Sequence, residues 1–352
     1  MARAGSDSIE RQPGRDGEIP FFPMEAQLEE ALPRDAGWQY EPKWDGFRCL
    51  AVKRGDGVAL FGKSGKPLTR FFPEMVETLA ALPGDLILDG ELVIPGGDTL
   101  DFDALQMRLH PAESRIRKLA AETPARFVVF DLLAVGRQSL LDQPLADRRT
   151  ALEALLRQPA ASGLRLSPFT LDRAAAEQWL AQTGAALDGV VAKRRDAPYA
   201  PGERAMIKVK PIRTADCVVG GFRYGTDSKL VGSLLLGLYN GDGKLDHVGF
   251  SSGIKDADRP ELTQRLEALK GGTGFTGDAP GGPSRWSTER SAQWVALKPE
   301  LVVEVAYDQI TGQRFRHGTR LVRWRPDKAP GQCTFDQLQS EARPARLLDA
   351  LA

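Results

Sequence analysis

Short apolar runs broken by turn signals recur through most of the chain. Residues 47–53 (FRCLAVK) and 58–62 (VALFG) flank Gly55-Asp56-Gly57, a pattern that predicts a β-hairpin. Further strands are predicted at 86–94 (LILDGELVI), 127–135 (FVVFDLLAV), 188–193 (DGVVAK) and 205–210 (AMIKVK). Between them, Leu, Ala and charged residues recur at three- and four-residue spacing over 103–121, 145–157 and 172–183, which predicts helices. The texture changes near Pro211. From Ala215 onward short strands dominate, at 215–223, 231–239, 244–250, 301–307 and 319–325, with one helix at 258–270 and a Gly/Pro-rich loop over 271–288. Five short strands and one helix predict a small barrel. Residues 1–17 are polar and without period and read as a mobile tail, as do the residues after about 340.

The pattern predicts an α+β domain over 18–211 and a β-rich domain over 212–340, which suits a length of 352 residues. Forty-seven Lys plus Arg balance forty-seven Asp plus Glu, so a uniform positive coat for indiscriminate nucleic-acid binding is excluded. Cys49, Cys217 and Cys333 lie far apart, as do His110, His247 and His317, which predicts no disulfide framework, no zinc cluster and a reducing cytoplasm. No stretch approaches the length of a membrane span and no signal-type apolar core opens the chain, so a membrane partner is not expected.

The sharpest local feature is Glu41-Pro42-Lys43-Trp44-Asp45-Gly46-Phe47-Arg48. Pro42 blocks a helix and Gly46 relaxes the backbone, so Lys43 is expected in a loop at the mouth of a sheet. A fixed lysine beside other cations can lose its proton and attack phosphorus or carbonyl carbon. Taken alone, the bland alternative of a solvent-facing loop lysine is the better one. The ordered set of motifs that follows changes this: KWDGFR at 43–48, GKSG at 62–65, LDGELV at 88–93, FVVFDLL at 127–133, LDGVVAK at 187–193, IKVK at 207–210 and RPDK at 325–328.

That arrangement, from about Pro20 to Lys328, resembles the covalent nucleotidyltransferase superfamily, and within it the ATP-dependent DNA ligases of the small bacterial type. The resemblance implies an adenylation (nucleotidyltransferase) domain of antiparallel sheets and flanking helices, followed by an OB-fold β-barrel. It implies that Lys43 attacks the α-phosphate of ATP, that the AMP passes to the 5′-phosphate of a nick, and that the 3′-hydroxyl then seals the strand. By the same resemblance Arg48 holds phosphate, Phe130 stacks on adenine, and Lys208 and Lys210 contact the α-phosphate. Glu91 meets the ribose hydroxyl or a metal-bound water, and Asp188 takes the metal carboxylate position for Mg²⁺ or Mn²⁺, through water. Lys63 stands where the family usually has arginine, keeping the charge but losing the planar fork. Arg325, Asp327 and Lys328 are implied to guide pyrophosphate departure when the barrel folds over ATP, with residues 211–214 as the hinge.

Each position has a structural alternative: Phe130 as a core aromatic, Glu91 as a strand-end acid facing solvent, the basic run 314–328 as a solvated strand. Glu41 could accept a hydrogen bond from the adenine 6-amino group but would face the guanine carbonyl unfavourably, which favours ATP over GTP. That reading weighs against an mRNA-capping guanylyltransferase, and the OB-like second half against many RNA ligases. A nucleic-acid-binding module that has lost its chemistry fits poorly with the intact lysine and carboxylates, and an NAD-dependent ligase with the absent cysteine cluster. The expected partners are nicked duplex DNA and repair proteins. The protein is expected to be a compact monomer in the cytoplasm, associated with the nucleoid, without an N-terminal DNA-binding domain. The zero net charge is itself uneven: residues 74–103 hold eight acids and no base, whereas 204–213 hold four bases and no acid and 314–328 hold six bases against one acid.

Overall fold

The computed structural model describes residues 18–97, 99–157, 163–181, 187–211, 213–281, 293–308, 310–311, 313–315 and 318–338. The expected tails, Ile212, His317 and the 282–288 part of the Gly/Pro-rich loop lie outside the described residues. The chain divides into two compact units, the first ending at Lys210 and the second beginning at Pro211.

In the first unit the strands are β1 (Ala26–Glu29), β2 (Trp38–Trp44), β3 (Phe47–Arg54), β4 (Gly57–Gly62), β5 (Leu86–Val93), β6 (Arg126–Val135), β7 (Gln138–Ser139), β8 (Leu164–Leu166), β9 (Leu187–Arg194) and β10 (Met206–Val209). The helices are α1 (Pro73–Ala80), α2 (Phe102–Met107), α3 (Glu113–Glu122), α4 (Leu145–Leu156) and α5 (Arg173–Ala181). The 47–62 hairpin is β3 and β4, which extend through β5, β6 and β7 in the order β4-β3-β5-β6-β7, with β8 beside β6. A second sheet has the order β1-β10-β9-β2. One face of the larger sheet packs on helices, with Cys49, Leu88, Phe127 and Leu132 in one cluster with Met75 and Leu79 of α1 and Leu152 of α4. Its other face packs towards the smaller sheet, where Leu50, Val52, Ile87 and Leu133 meet Met206. Strands buried on both faces read as continuous apolar runs, which is why LILDGELV and FVVFDLLAV lack strict alternation.

Two expectations need correction. The helix predicted over 103–121 is two helices, α2 and α3, separated at 108–112. Pro111 cannot donate to the ladder and restricts the residue before it, so the helical spacing continues through a stretch the backbone cannot follow. Lys43 lies in β2, not in a loop. Because β2 is an edge strand, Pro42 is tolerated there, and the register slips by one residue between Lys43 and Trp44 against β9.

The second unit contains β11 (Arg213–Tyr224), β12 (Val231–Tyr239), β13 (Leu245–Ser251), β14 (Val295–Ala296), β15 (Val302–Tyr307), β16 (Ile310–Thr311), β17 (Arg314–Phe315), β18 (Arg320–Trp324) and helix α6 (Arg259–Glu267). The five strands expected from the sequence form one antiparallel sheet in the order β13-β12-β11-β15-β18, with β14 on β11. This is the strand set of an OB-fold. Among the described residues the sheet is not closed by a continuous ladder: the isolated bridge Ser251 to Thr319 joins β13 to the segment entering β18. Arg213 and Thr214 already pair with Tyr307 and Ala306, so half of the expected 211–214 hinge belongs to a strand.

Candidate active site

Two motif glycines let the backbone close around one cleft. A Cβ on Gly46 would stand 2.2 Å from the Leu92 carbonyl oxygen, and one on Gly189, whose φ is +145°, would stand 2.2 Å from that of Val209. No other residue fits either place, which explains why Asp-Gly recurs in KWDG and LDGV. The cleft they help shape has a volume of about 670 Å³ and is lined by side chains from both sheets of the first unit, among them Glu41, Lys43, Arg48, Lys63, Glu91, Phe130 and Lys208. These seven residues, spread over more than 160 positions of sequence, are brought to one place.

Lys43 is the centre of the charge pattern. Its Nζ lies 2.6 Å from Asp188 Oδ2, and Lys210 Nζ lies 2.8 Å from the same oxygen. Burial works against the Lys43 charge, but Asp188, Glu91 and Asp45 together outweigh it and hold the ammonium above its ordinary pKa. The expectation that neighbouring cations strip this lysine of its proton is therefore corrected: in the free protein, acids dominate its surroundings. Asp188 serves first as the shared counter-ion of two lysines. Lys208, on β10, has no carboxylate partner among the described residues, and burial followed by repulsion from Lys43, Lys210 and Lys63 lowers its pKa. The cleft thus holds a lysine crowded by other ammonium groups and without a direct carboxylate partner among the described residues, which favours an incoming phosphate.

Arg48 is not free to meet phosphate with its whole fork. Its Nε and Nη2 donate to Asp89 Oδ1 and Oδ2, each at 2.6 Å, and Nη2 also reaches the Met24 carbonyl at 3.2 Å. Asp89 is fully buried and accepts a third bond from the Tyr199 hydroxyl at 2.6 Å. The guanidinium carbon sits 4.6 Å from the Phe130 ring centroid, and Lys193 Nζ sits 4.2 Å from it. Phe130 is thus both a buried core aromatic and a wall of the cleft.

Glu41 is 2% exposed. Its Oε2 takes Lys193 Nζ at 2.7 Å and its Oε1 takes Gln39 Nε2 at 2.9 Å. A carboxylate pinned on both oxygens presents a fixed acceptor at the cleft wall, the arrangement that can discriminate an amino group from a carbonyl. Lys63 pairs with Glu25 at 3.1 Å on the cleft rim. Glu91, directly across from Arg48 in the β3–β5 register, was expected to have a partner, yet its side chain makes no hydrogen bond to another described residue. Burial, opposed by Lys43 and Arg48, pushes its carboxyl up to about 7.

A divalent cation suits this donor set. Glu91 is a half-buried carboxyl whose side chain has no hydrogen-bond partner among the described residues, and Asp188 already neutralises positive charge. Among the described residues no group of three or more His, Cys, Asp or Glu is placed to cage a metal. Two hard carboxylates with the remaining positions left to water and substrate phosphate match the habit of Mg²⁺.

Arg325, Asp327 and Lys328 form a cluster of their own in the second unit. Arg325 donates from Nη1 to Asp216 and from Nε and Nη2 to Asp327, and Lys328 Nζ lies 2.9 Å from Asp216 Oδ2. The hydrogen bond from Arg325 holds the Asp327 carboxyl down to about 2. The sequence reading missed Lys193, Asp89, Tyr199, Gln39 and Asp216. Lys193 closes the quoted LDGVVAK and Asp89 lies inside LDGELV, so both carried a signal. Asp216 is an acid interrupting the apolar run Ala215 to Val219, also a usable signal. Tyr199 and Gln39 carried none.

Comparison with known proteins agrees with this geometry. Residues 23–210 match the family model described as ATP dependent DNA ligase domain, and residues 227–328 match that described as ATP dependent DNA ligase C terminal region. DNA ligase C1 of Mycolicibacterium smegmatis is 46% identical over 334 residues, covering 91% of this chain and 94% of its own. DNA ligase C of Mycobacterium tuberculosis is 43% identical over 341 residues, with 91% and 94% covered. A solved Lig E DNA ligase covers 86% of this chain and 99% of its own at 19% identity with a TM-score of 0.55, a likeness of fold. The chain belongs to the ATP-dependent DNA ligase family.

Proposed function

We propose that this protein seals nicks in duplex DNA with ATP as co-substrate, through a covalent adenylate on Lys43. The Lys43 nitrogen forms a bond to the α-phosphorus while the bond to the bridging oxygen of pyrophosphate breaks. The AMP then moves to the 5′-phosphate at the nick, and the 3′-hydroxyl displaces it. The observation that carries this reading is the Lys43 ammonium paired to Asp188, with Lys210 on the same carboxylate, beside a cleft lined by Glu41, Phe130 and Lys208.

In this reading Lys208 and Lys210 receive the α-phosphate, and Arg48, braced by Asp89, presents its remaining donor capacity towards phosphate or ribose. Lys63 contacts phosphate at the rim as a point charge. Phe130 offers its open side to adenine, and Glu41 accepts from the adenine 6-amino group. Glu91 and Asp188 would hold Mg²⁺ or Mn²⁺, which supplies Lewis-acid neutralisation of charge developing on phosphate oxygens. Were Asp188 to engage a cation, its grip on Lys43 would weaken and the ammonium would release its proton to solvent more readily, leaving the neutral amine to attack. Arg325, Asp327 and Lys328 serve pyrophosphate departure. Residues 18–211 act as the adenylation domain and 212–340 as the DNA-clamping domain. We also read the protein as a cytoplasmic, nucleoid-associated monomer in DNA repair, working with repair proteins. The three scattered, buried free cysteines support a reducing compartment.

Incubation with α-labelled ATP and Mg²⁺ or Mn²⁺ tests the chemistry. The protein should become covalently labelled, and Lys43→Ala should abolish the label. Labelling by GTP in preference to ATP would defeat the role given to Glu41, and labelling of the Lys43→Ala protein would defeat the role given to Lys43.

A further inference from the structure

Arg325 and Lys328 share one carboxylate that lies outside the recognisable motifs. Asp216, on β11, is 8% exposed. It accepts from Arg325 Nη1 at 2.8 Å on Oδ1 and 3.0 Å on Oδ2, and from Lys328 Nζ at 2.9 Å on Oδ2. Its backbone is held as firmly: its N–H donates to Gln337 Oε1 at 3.0 Å and its carbonyl accepts from Gln337 Nε2 at 3.1 Å. The other edge of the guanidinium, Nε and Nη2, is taken by Asp327, whose side chain is 63% exposed. Arg325 is therefore gripped on its inner edge by a fixed, buried acid and on its outer edge by a surface acid two residues along the chain.

These two contacts differ in what an anion can replace. Asp327 sits in solvent on a flexible stem, so a phosphate group of higher charge can take its place on Nε and Nη2. Asp216 is clamped by its strand and by Gln337, so Nη1 stays occupied and the guanidinium plane keeps its direction. A buried ion pair is a poor source of stability, because desolvation offsets most of the attraction. What it supplies here is orientation of two long side chains, each of which would otherwise have much of its rotamer entropy to lose on meeting a ligand.

We propose that Asp216 is a positioning residue for lysine adenylation, holding Arg325 and Lys328 with their outward donors ready for the pyrophosphate that leaves the ATP or returns to the lysyl adenylate. The proposal rests on the reading above that Arg325 and Lys328 serve pyrophosphate departure.

Full-length Asp216→Asn, Asp216→Glu and Lys328→Ala proteins can be compared in three assays: adenylation from ATP, reversal of the enzyme adenylate by inorganic pyrophosphate, and single-turnover sealing of a pre-adenylylated nick. Asp216→Asn should slow adenylation about tenfold and raise the pyrophosphate concentration for half-maximal reversal by a similar factor, about 1.4 kcal/mol. Sealing of the pre-adenylylated nick should change by less than about twofold, and Asp216→Glu should recover part of the loss. Equal losses in adenylation and sealing, or a collapsed melting temperature, would reveal a merely structural carboxylate and overturn the proposal. If Asp216→Asn is neutral while Lys328→Ala impairs adenylation and reversal, the proposal fails and the pyrophosphate reading stands. If Lys328→Ala is neutral too, the pyrophosphate reading fails first.

Discussion

In the cleft of the first unit, Lys43 and Lys210 lean on Asp188 while Lys208, two residues before Lys210, carries its charge without a carboxylate partner among the described residues. In the second unit, both edges of Arg325 and the Lys328 ammonium are already taken by Asp216 and Asp327. The first arrangement attracts an anion as it stands, because repulsion among Lys43, Lys208 and Lys210 is relieved by phosphate. In the second an anion would have to replace an internal acid, so the proposed engagement of pyrophosphate requires a ligand of higher charge than Asp327. Under that proposal the difference suits a cleft that keeps phosphate throughout and a second unit that meets pyrophosphate once per cycle.

The comparison can be broken at several points. The largest expected effect is on stability of the cleft. Glu41→Ala leaves the buried Lys193 ammonium without its counter-ion, which should cost about 3 kcal/mol or more in urea unfolding of the first unit. An unfolding midpoint within error of the parent protein would show that the pair is not a structural anchor. Next, Lys208→Ala should slow adenylation and the sealing of pre-adenylylated DNA alike, by about a hundredfold, whereas Lys328→Ala should slow adenylation by about that factor and sealing far less. Equal sensitivity of the two steps to Lys328→Ala would erase the contrast between the units.

A smaller effect separates the units by pH. His247 on β13 is packed edge-on against Phe275, accepts from Arg314 on Nδ1, and has its Nε2 buried without a partner among the described residues. Burial, then the charges of Arg314 and Arg223, push its pKa down to about 3 from 6.5. A depressed pKa means the unfolded chain binds the proton first, so this contribution to stability is complete above 6.5 and is lost as pH falls towards 3. Between pH 7 and 5 the second unit should lose about 2 kcal/mol from this source, and His247→Gln should flatten that part of the profile. Glu91 in the first unit has the opposite sign, since its raised pKa of about 7 removes stability as pH rises through that value. Parallel pH profiles for His247→Gln and parent proteins would contradict the buried neutral imidazole.

Much of the architecture was legible in the chain. The five main strands of the second unit's sheet followed from short apolar runs between turn signals, which mark a strand even where both of its faces are buried. The motif glycines of the cleft were legible for a related reason: Gly46 and Gly189 are demanded by backbone contacts of 2.2 Å that only glycine survives. Other features were hidden because a competing rule won. Helical spacing ran on through 103–121 although Pro111 divides it, and Pro42 with Gly46 pointed to a loop at Lys43 where the edge position of β2 permits a strand.

The sequence by itself determined the candidates for the chemistry: a lysine set between Pro42 and Asp45-Gly46, carboxylates inside strands, and basic residues gathered at 204–213 and 314–328. Tertiary structure alone decided how each charge is compensated. Arg48 finds Asp89 across 41 residues, Lys193 finds Glu41 across 152, and Lys328 finds Asp216 across 112. Such pairings depend on strand order and register, which bring distant positions within 3 Å, and a side chain's charge in sequence says nothing of the acid it will meet. That is why Lys43 stands out as the candidate nucleophile from its motif, while its resting state as an ammonium held by Asp188 is visible only in the fold.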